Sequence, residues 1–429
     1  MNPAAPPDFA AAPIAGTRPA FPWAMALMRG LLAFLTVALV AQVIAFAMGL
    51  VRGALATATI AKLGWLYALA FHRVPIQVGG STFAGYRVSV AFLLGTAFAV
   101  WVVYRQGRAI GRRVEGSAWR AALAGAAIAP TYALPFALLS FVVKLELGAG
   151  SALLGPTGIR LEGVAVQAFV LPLLLAAGAG AVGGLVVALP SESWVRAAMV
   201  GGWRMFCVAL GLALVGLLVL AAVRPAGLAA YARVMMGHGP GTDALLLGHQ
   251  ALLLPNQALS VLVPSMGGCV GVHGTSFWYP IVCPGHLPRL EDATIPIYVN
   301  LSDPDIGFSL SRSMPIGYAL FLLVPLVAAV WVGRAIRSVA SDARAWIRIV
   351  IGAGAVFAVC AGVGSWFAGI TLRNASPPQP SSVTLGAKVL PTALIALAWG
   401  LGGGAIGGLL SRRQDAVDPA GPPPSPTSV

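Results

Sequence analysis

Long apolar runs alternate with short polar segments along most of the chain, and ten of these runs can be separated. A helix needs about 20 consecutive apolar residues to cross a lipid bilayer, and most of the runs approach that length. They cover residues 31–50, 53–71, 88–104, 121–143, 164–189, 205–223, 244–264, 315–332, 349–370 and 389–410. The pattern predicts an all-α integral membrane protein.

Two of the runs, 53–71 and 244–264, are interrupted. The first contains Lys62, and the second is broken at Pro255-Asn256 and stopped by Pro264. A proline inside a helix removes one backbone hydrogen bond and disturbs another. Broken backbone is tolerated at membrane depth only where protein or a water-lined cavity satisfies it. We therefore predict that both runs are re-entrant or broken segments inside a bundle of about eight transmembrane helices.

Arginine clusters follow the runs that end at residues 104 and 332, and they test the number of crossings. Positive charge beside a span marks the cytoplasmic side. If all ten runs crossed, the two clusters would lie on opposite sides of the membrane. If the interrupted runs enter and return, eight spans remain, and both clusters and both termini are cytoplasmic. The acidic stretch 265–313 is then an outer loop of a cell-membrane protein.

The order of segments repeats in the two halves of the chain. Each half reads span, interrupted segment, glycine-rich loop, span with an arginine cluster, and two further spans. The tetrapeptide GRAI occurs at 107–110 and again at 333–336. We predict two parallel membrane repeats, 23–204 and 205–413, because four spans per half leave both halves in one orientation. The proline-rich ends, 1–22 and 414–429, are predicted to be disordered tails.

Composition agrees with this class and excludes several others. Of 429 residues, 58% are hydrophobic and only 9% are charged. The net charge of +14 lies in short clusters beside apolar runs, so nucleic acid is not an expected partner. No small-residue cleavage site follows the first apolar run, which predicts an uncleaved signal anchor. We find no familiar enzyme motif and no carboxylate at the centre of a span, and we predict a non-enzymatic protein without a cofactor.

Four polar residues in or near the interrupted segments are candidates for a functional site: Lys62, Asn256, Gln257 and Thr275. One interpretation is that they line a cavity. The other is that they serve the fold, because a lysine can snorkel to the membrane surface and an amide can bond between helices. A cavity at the interface of the repeats would favour transport, whereas a close-packed apolar interface would favour a scaffold.

The cysteines and glycines have structural interpretations. Cys269 and Cys283 lie in the outer loop, where an oxidising exterior permits a disulfide; the alternative is two unpaired thiols. The histidines near them have no metal-ligand spacing, so no metal is expected. Small residues spaced four apart predict close helix contacts at Gly180, Gly184, Gly403 and Gly407.

Two motifs carry a resemblance to known membrane proteins. The sequence VPIQVGG at 74–80, followed by a span and YRQGR at 104–108, resembles the first half of actinobacterial membrane proteins of the PerM type. LPN at 254–256, followed by VG at 270–271 and GT at 274–275, is similar to the second half of that group. The chain also resembles the very hydrophobic membrane proteins of streptomycetes called streptophobes. It departs from the PerM pattern in its long outer loop with Cys269 and Cys283.

The resemblance implies an accessory or scaffold protein in envelope assembly or cell division, with the bilayer and other membrane proteins of that machinery as partners. The residues permit this role and do not specify it. The alternative is a channel or uniporter-like carrier with its site at the interface of the repeats, which the paired broken segments favour.

Overall fold

The structure is a computed structural model of the chain. It describes residues 21–52, 57–79, 85–114, 117–147, 159–223, 240–274, 278–282, 321, 323–374 and 381–417. Within these ranges the chain forms helices separated by short β-hairpins.

The first half contains six helices and four strands in its described residues. They are α1 (Trp23–Arg52), α2 (Thr57–Ala70), β1 (Ile76–Gly79), β2 (Tyr86–Ser89), α3 (Leu93–Gly111), α4 (Ala118–Ala126), α5 (Ala129–Val142), β3 (Lys144–Leu147), β4 (Ile159–Gly163) and α6 (Ala165–Ala188). The described elements of the second half are α7 (Trp194–Val223), α8 (Pro240–Ser265), β5 (Val270–Gly274), β6 (Trp278–Val282), α9 (Leu323–Val339), α10 (Ala343–Ala368), β7 (Ile370–Asn374), β8 (Ser381–Ala387) and α11 (Val389–Val417).

Six helical segments of the described chain are long and apolar enough to cross a membrane. They are Trp23–Gly49, Ala118–Val142, Ala165–Ala188, Trp194–Val219, Ala343–Ala368 and Val389–Ser411. The helices α2 and α8 contain shorter apolar stretches, Ala58–Ala70 and Ala251–Ser265, as expected for the two interrupted runs. The stretch 191–204, which lies between two of the apolar runs, is helical from Trp194 onward.

Polar residues fix where two of the helices begin. Asp342 precedes α10, and its carboxylate accepts a hydrogen bond from the backbone N–H of Ala345 at 2.7 Å. The Ser117 hydroxyl does the same for Arg120 at the start of α4, at 3.3 Å. Each side chain satisfies one of the N–H groups that have no partner within the helix.

An eight-stranded antiparallel sheet corrects the all-α prediction. Its strand order is β3-β4-β1-β2-β7-β8-β5-β6. The strands come from the segments between predicted spans, including β3 and β4 between the runs 121–143 and 164–189. Strands of four to seven residues give little local signal, and many of their partners lie far away in the chain.

The sheet joins the two halves of the chain. β2 pairs with β7 over four residue pairs, from Tyr86 opposite Asn374 to Ser89 opposite Thr371. At its first-half edge, Glu162 lies 3.0 Å from Arg160. Charged side chains and open sheet edges are not stable in the hydrocarbon of a bilayer, so the sheet lies outside it, at one end of the helix bundle.

Glycines make the closest contacts between helices. A Cβ atom at Gly107 of α3 would overlap the carbonyl oxygen of Gly180 in α6. The same relation holds in the second half between Gly333 of α9 and Gly404 of α11. Close helix contacts are confirmed at the four predicted positions, which are Gly180, Gly184, Gly403 and Gly407.

Each half has its own hydrophobic core, and α8 contributes to both. Leu252 of α8 packs in the first-half core with Phe71 and Phe136. Leu259, two turns further along the same helix, packs in the second-half core with Phe357. The helix α8 continues through Pro255, so the predicted break at Pro255-Asn256 is not present, and the helix packs against both halves.

Candidate functional site

Asn256 connects the helix α8 to the first half of the chain. Its side chain is buried, and its Nδ2 donates to the carbonyl oxygen of Ala91 at 2.7 Å. The backbone N–H of Leu93 donates to its Oδ1 at 3.0 Å. Leu93 is the first residue of α3, where backbone N–H groups have no partner within the helix. Asn256 therefore caps a helix of the other half.

Arg73 lies at the turn that ends α2, and this turn has the hydrogen bonds of a Schellman motif. The N–H of Val74 donates to the carbonyl oxygen of Leu69 at 3.1 Å, and that of Arg73 donates to Ala70 at 3.0 Å. The φ angle of Arg73 is +56°, in the left-handed region. Glycine is the usual residue at this position because a Cβ atom is unfavourable there.

The turn that ends α8 has the same hydrogen bonds. Gly268 N–H donates to the carbonyl oxygen of Val263 at 2.9 Å, and Gly267 N–H donates to Pro264 at 3.0 Å. Gly267 has a φ angle of +101°. The second half thus has the expected glycine where the first half has Arg73, which makes Arg73 the unusual residue of the pair.

The guanidinium of Arg73 reaches the second half. Its Nη2 donates to the carbonyl oxygen of Gly369 at 3.2 Å and to Thr371 Oγ1 at 3.0 Å. Its Cζ lies 4.3 Å from the centroid of the Trp366 ring. Gly369 is the C-cap of α10, where the helix dipole favours positive charge. Burial lowers the pKa of Arg73 to about 10, so the guanidinium stays charged at neutral pH.

Arg73 and Asn256 therefore form two reciprocal contacts between the halves. Arg73 binds the C-terminus of a second-half helix, and Asn256 binds the N-terminus of a first-half helix. The Asn256 amide and Arg73 Nη2 bond to backbone or side-chain groups of the opposite half, whereas Arg73 Nε is buried without a hydrogen-bond partner among the described residues. We call these two contacts the junction.

A histidine next to Arg73 anchors the same turn within the first half. The His72 side chain is fully buried, with Nδ1 2.7 Å from the carbonyl oxygen of Ala68 and Nε2 2.7 Å from the Tyr132 hydroxyl. A carbonyl oxygen only accepts, so Nδ1 carries the proton and Nε2 accepts from Tyr132. This neutral tautomer holds the end of α2 against α5.

A small polar cavity of about 240 Å³ lies beside Arg73. Its lining includes Arg73, His273, Ser365, Trp366, Thr371 and Thr384. The hydroxyl groups of Thr371 and Thr384 lie 3.0 Å apart. Ser365 Oγ is buried and has no hydrogen-bond partner among the described residues. Burial and the nearby charge of Lys388 lower the pKa of His273, which favours its neutral form.

The predicted site residues that the structure describes lie in different environments. Lys62 is exposed on α2, whereas Asn256 is buried at the junction. Gln257 is half-buried beside Asn256 on α8. Cys269 lies just before β5. Thr275 and Cys283 lie outside the described residues, so the disulfide stays a prediction.

Sequence reasoning singled out Asn256 but missed its partners, and it missed Arg73. Ala91 and Leu93 are more than 160 residues away from Asn256 in the chain, which no local pattern can indicate. A signal for Arg73 was present: a basic residue directly follows an apolar segment, at the place where glycine follows the matching segment of the second half.

The fold and the junction are those of a multi-pass membrane protein with an extramembrane sheet. No family model, curated protein or solved structure matches the chain.

Proposed function

We propose that the chain is a non-enzymatic multi-pass protein of the cell membrane, and that it acts as an accessory or scaffold protein in envelope assembly or cell division. The observation that carries this proposal is the junction. The polar groups of Arg73 and Asn256 hold the two halves together through hydrogen bonds to the opposite half. The resemblance to PerM-type proteins and streptophobes supplies the envelope and division context.

The proposed topology has eight spans, of which α3 and α9 are the two additions to the six apolar segments. Both helices have arginines near their C-terminal ends, Arg108 and Arg337. These arginines lower the mean hydropathy of each helix, but each helix is still long enough to cross a membrane. All eight strands belong to one sheet, so all four hairpins lie on the same side of the membrane. The arginine-rich helix ends then lie on the other side, which is cytoplasmic by the positive-inside rule.

The two interrupted segments are proposed to enter and return on the side of the sheet. Gln42 of α1 donates its Nε2 hydrogen to the carbonyl oxygen of Ala61 at 3.0 Å, and Gly64 lies against the same glutamine. Ile60 lies against Gly49, so α2 runs back along α1. It then continues directly into β1 of the sheet. Both ends of α2 therefore lie toward one side.

Two parallel repeats account for several matching features. Each half has the order helix, interrupted helix, hairpin, helix, span, hairpin, helix in its described residues. Both interrupted helices end in a Schellman motif, at Arg73 and at Gly267. The glycine contacts of Gly107 with Gly180 and of Gly333 with Gly404 occupy matching positions.

The alternative is a channel or uniporter-like carrier, and one observation favours it. The cavity of about 240 Å³ at the junction is polar, and its Ser365 hydroxyl has no partner among the described residues. A small solute with hydrogen-bonding groups would satisfy that hydroxyl. The cavity belongs to the second half and to Arg73, however, and does not include Asn256 or Lys62.

The test compares flux with cellular rescue for one cavity variant, Ser365→Ala. Under the scaffold proposal, wild-type chain in liposomes gives no flux above protein-free liposomes over a panel of ions and small solutes. Cells that lack the chain show an envelope or septum defect, and both wild type and Ser365→Ala rescue it. If wild type gives flux, and Ser365→Ala abolishes that flux and fails to rescue the cells, the scaffold proposal is rejected and the carrier is established.

A further inference from the structure

A second cavity, of about 370 Å³, lies between α1 and α3 at the end of the bundle that is opposite to the sheet. Four arginines line it: Arg29, Arg105, Arg108 and Arg112. No carboxylate of a described residue lines it or forms an ion pair with these arginines. The volume is in the range of small-molecule sites, about 300–1,000 Å³. Neither the junction nor the proposed function uses this cavity.

Contacts between the two helices hold the arginines in place. Arg29 Nη1 of α1 donates to Gln106 Oε1 of α3 at 2.7 Å, across the cavity wall. The guanidinium carbon of Arg105 lies 5.0 Å from the centroid of the Trp101 ring. Arg108 Nε is buried and has no hydrogen-bond partner among the described residues. Buried polar groups in proteins are nearly always satisfied, so this N–H indicates an acceptor that the described residues do not supply.

We propose that this cavity binds the phosphate of an anionic phospholipid headgroup. Guanidinium groups bind phosphate oxygens with paired, charge-assisted hydrogen bonds. Four of them close together repel one another, and one anion between them offsets that repulsion. Basic pockets between membrane helices on the cytoplasmic side are the expected place for anionic headgroups.

The shape of the cavity favours a lipid over free phosphate. Along α3 it extends from Arg112 to Trp101, about 16 Å at 1.5 Å per residue. Trp101 and Leu35 of α1 are about half exposed, as expected for surfaces that face lipid. An amphiphile therefore fits this cavity. Its headgroup lies at the charged end, and the first part of its acyl chains lies at the apolar end. Free phosphate would fill the charged end alone.

The test uses the full chain in neutral detergent and native mass spectrometry. Phosphatidylglycerol, phosphatidylcholine and inorganic phosphate are titrated separately. The expected result is preferential retention of one phosphatidylglycerol molecule, with an affinity at least about tenfold weaker in the double variant Arg105→Gln/Arg108→Gln. Arg113→Gln is the matched control, because Arg113 is exposed beside the same cluster and does not line the cavity. Its affinity should stay within about twofold of wild type.

Three results would overturn the proposal. Equal retention of phosphatidylglycerol and phosphatidylcholine would remove the charge preference. An equal loss of affinity in Arg113→Gln would indicate diffuse attraction, and displacement of the lipid by millimolar inorganic phosphate would indicate a free-anion site. The melting temperature of each variant without lipid reports folding. If the double variant does not fold, Arg112→Gln replaces it, because Arg112 is exposed and still lines the cavity.

Discussion

Arg73 combines an unfavourable backbone conformation with favourable side-chain contacts. A left-handed conformation costs a residue with a Cβ atom about 1–2 kcal/mol. Hydrogen bonds from a charged donor contribute about 1.5–3 kcal/mol each, and stacking on an aromatic ring adds about 0.5–2 kcal/mol. The contacts with Gly369, Thr371 and Trp366 therefore outweigh the backbone cost.

This balance predicts an order of stability for Arg73 variants. Arg73→Ala loses the contacts and keeps the strain, so the free energy of unfolding should fall by about 2–4 kcal/mol. Arg73→Gly loses the contacts but relieves the strain, and it should be about 1 kcal/mol more stable than Arg73→Ala. Denaturant unfolding in detergent measures both. Equal stability of the two variants would show that the backbone of Arg73 is not strained.

A variant of Gly267 is the matched control for the cost of the left-handed backbone conformation at Arg73. A Cβ atom there would meet nothing within 4 Å, so Gly267→Ala changes the backbone cost alone. The expected loss is about 1–2 kcal/mol. A loss well above that range would mean that the variant also disturbs packing, and the comparison with Arg73 would not hold.

Asn256 gives the second prediction at this scale. Asn256→Ala leaves the backbone groups of Ala91 and Leu93 without partners, and the free energy of unfolding should fall by about 1–3 kcal/mol. Asn256→Asp keeps an acceptor for Leu93 but buries a carboxylate against the carbonyl oxygen of Ala91, so at neutral pH it should lose at least as much. Thermal melting in detergent tests the order of these variants. A normally stable Asn256→Ala that alters solute flux in liposomes would favour the carrier.

Single residues were predictable only where their own neighbours in the sequence gave the signal. Pro255 predicted a break in a helix and so drew attention to Asn256, although α8 continues through Pro255. The partners of Asn256 and Arg73 belong to the opposite half, so the sequence alone could not identify the junction. Lys62 lies in an interrupted segment and is exposed, which is compatible with both the snorkelling and the cavity interpretation.

The helices were predictable because their apolar runs are long, whereas the strands were not. The helices α6 and α11 begin within one residue of the predicted start of their runs. The strands have four to seven residues, and their stability comes from pairing that the local sequence does not reveal. The predicted fold class was therefore correct for the helices, which make up most of the described chain, and it was wrong in not including a sheet.

Two glycines of α6 provide a prediction at the scale of helix packing. A Cβ atom at Gly180 would overlap the carbonyl oxygen of Gly125, whereas one at Gly178 would meet nothing within 4 Å. Gly180→Ala should therefore cost about 1–3 kcal/mol through overpacking. Gly178→Ala should be neutral or stabilise the fold by up to about 1 kcal/mol, because alanine is the better helix former. Melting temperatures that fall equally in both variants would rule out the close contact.

The orientation of the whole molecule can be tested with two introduced cysteines. Ser381 is exposed in β8, and Ser338 is exposed at the end of α9. In intact cells a membrane-impermeant maleimide should label Ser381→Cys and leave Ser338→Cys unlabelled, since the sheet and the arginine-rich ends lie on opposite sides. The unsubstituted chain reports labelling of native thiols. Labelling of Ser338→Cys alone would reverse the proposed orientation.

The pairing of β2 with β7 has a consequence for biosynthesis. Ser89 and Thr371 are neighbours in the sheet but are about 280 residues apart in the chain. At a synthesis rate of about 5–20 residues per second, β2 emerges roughly 15–60 seconds before its partner exists. During that time one edge of the first-half sheet has no native partner, and such edges pair readily with other chains. The nascent protein therefore needs either slow insertion at the translocon or a chaperone at that edge until the second half arrives.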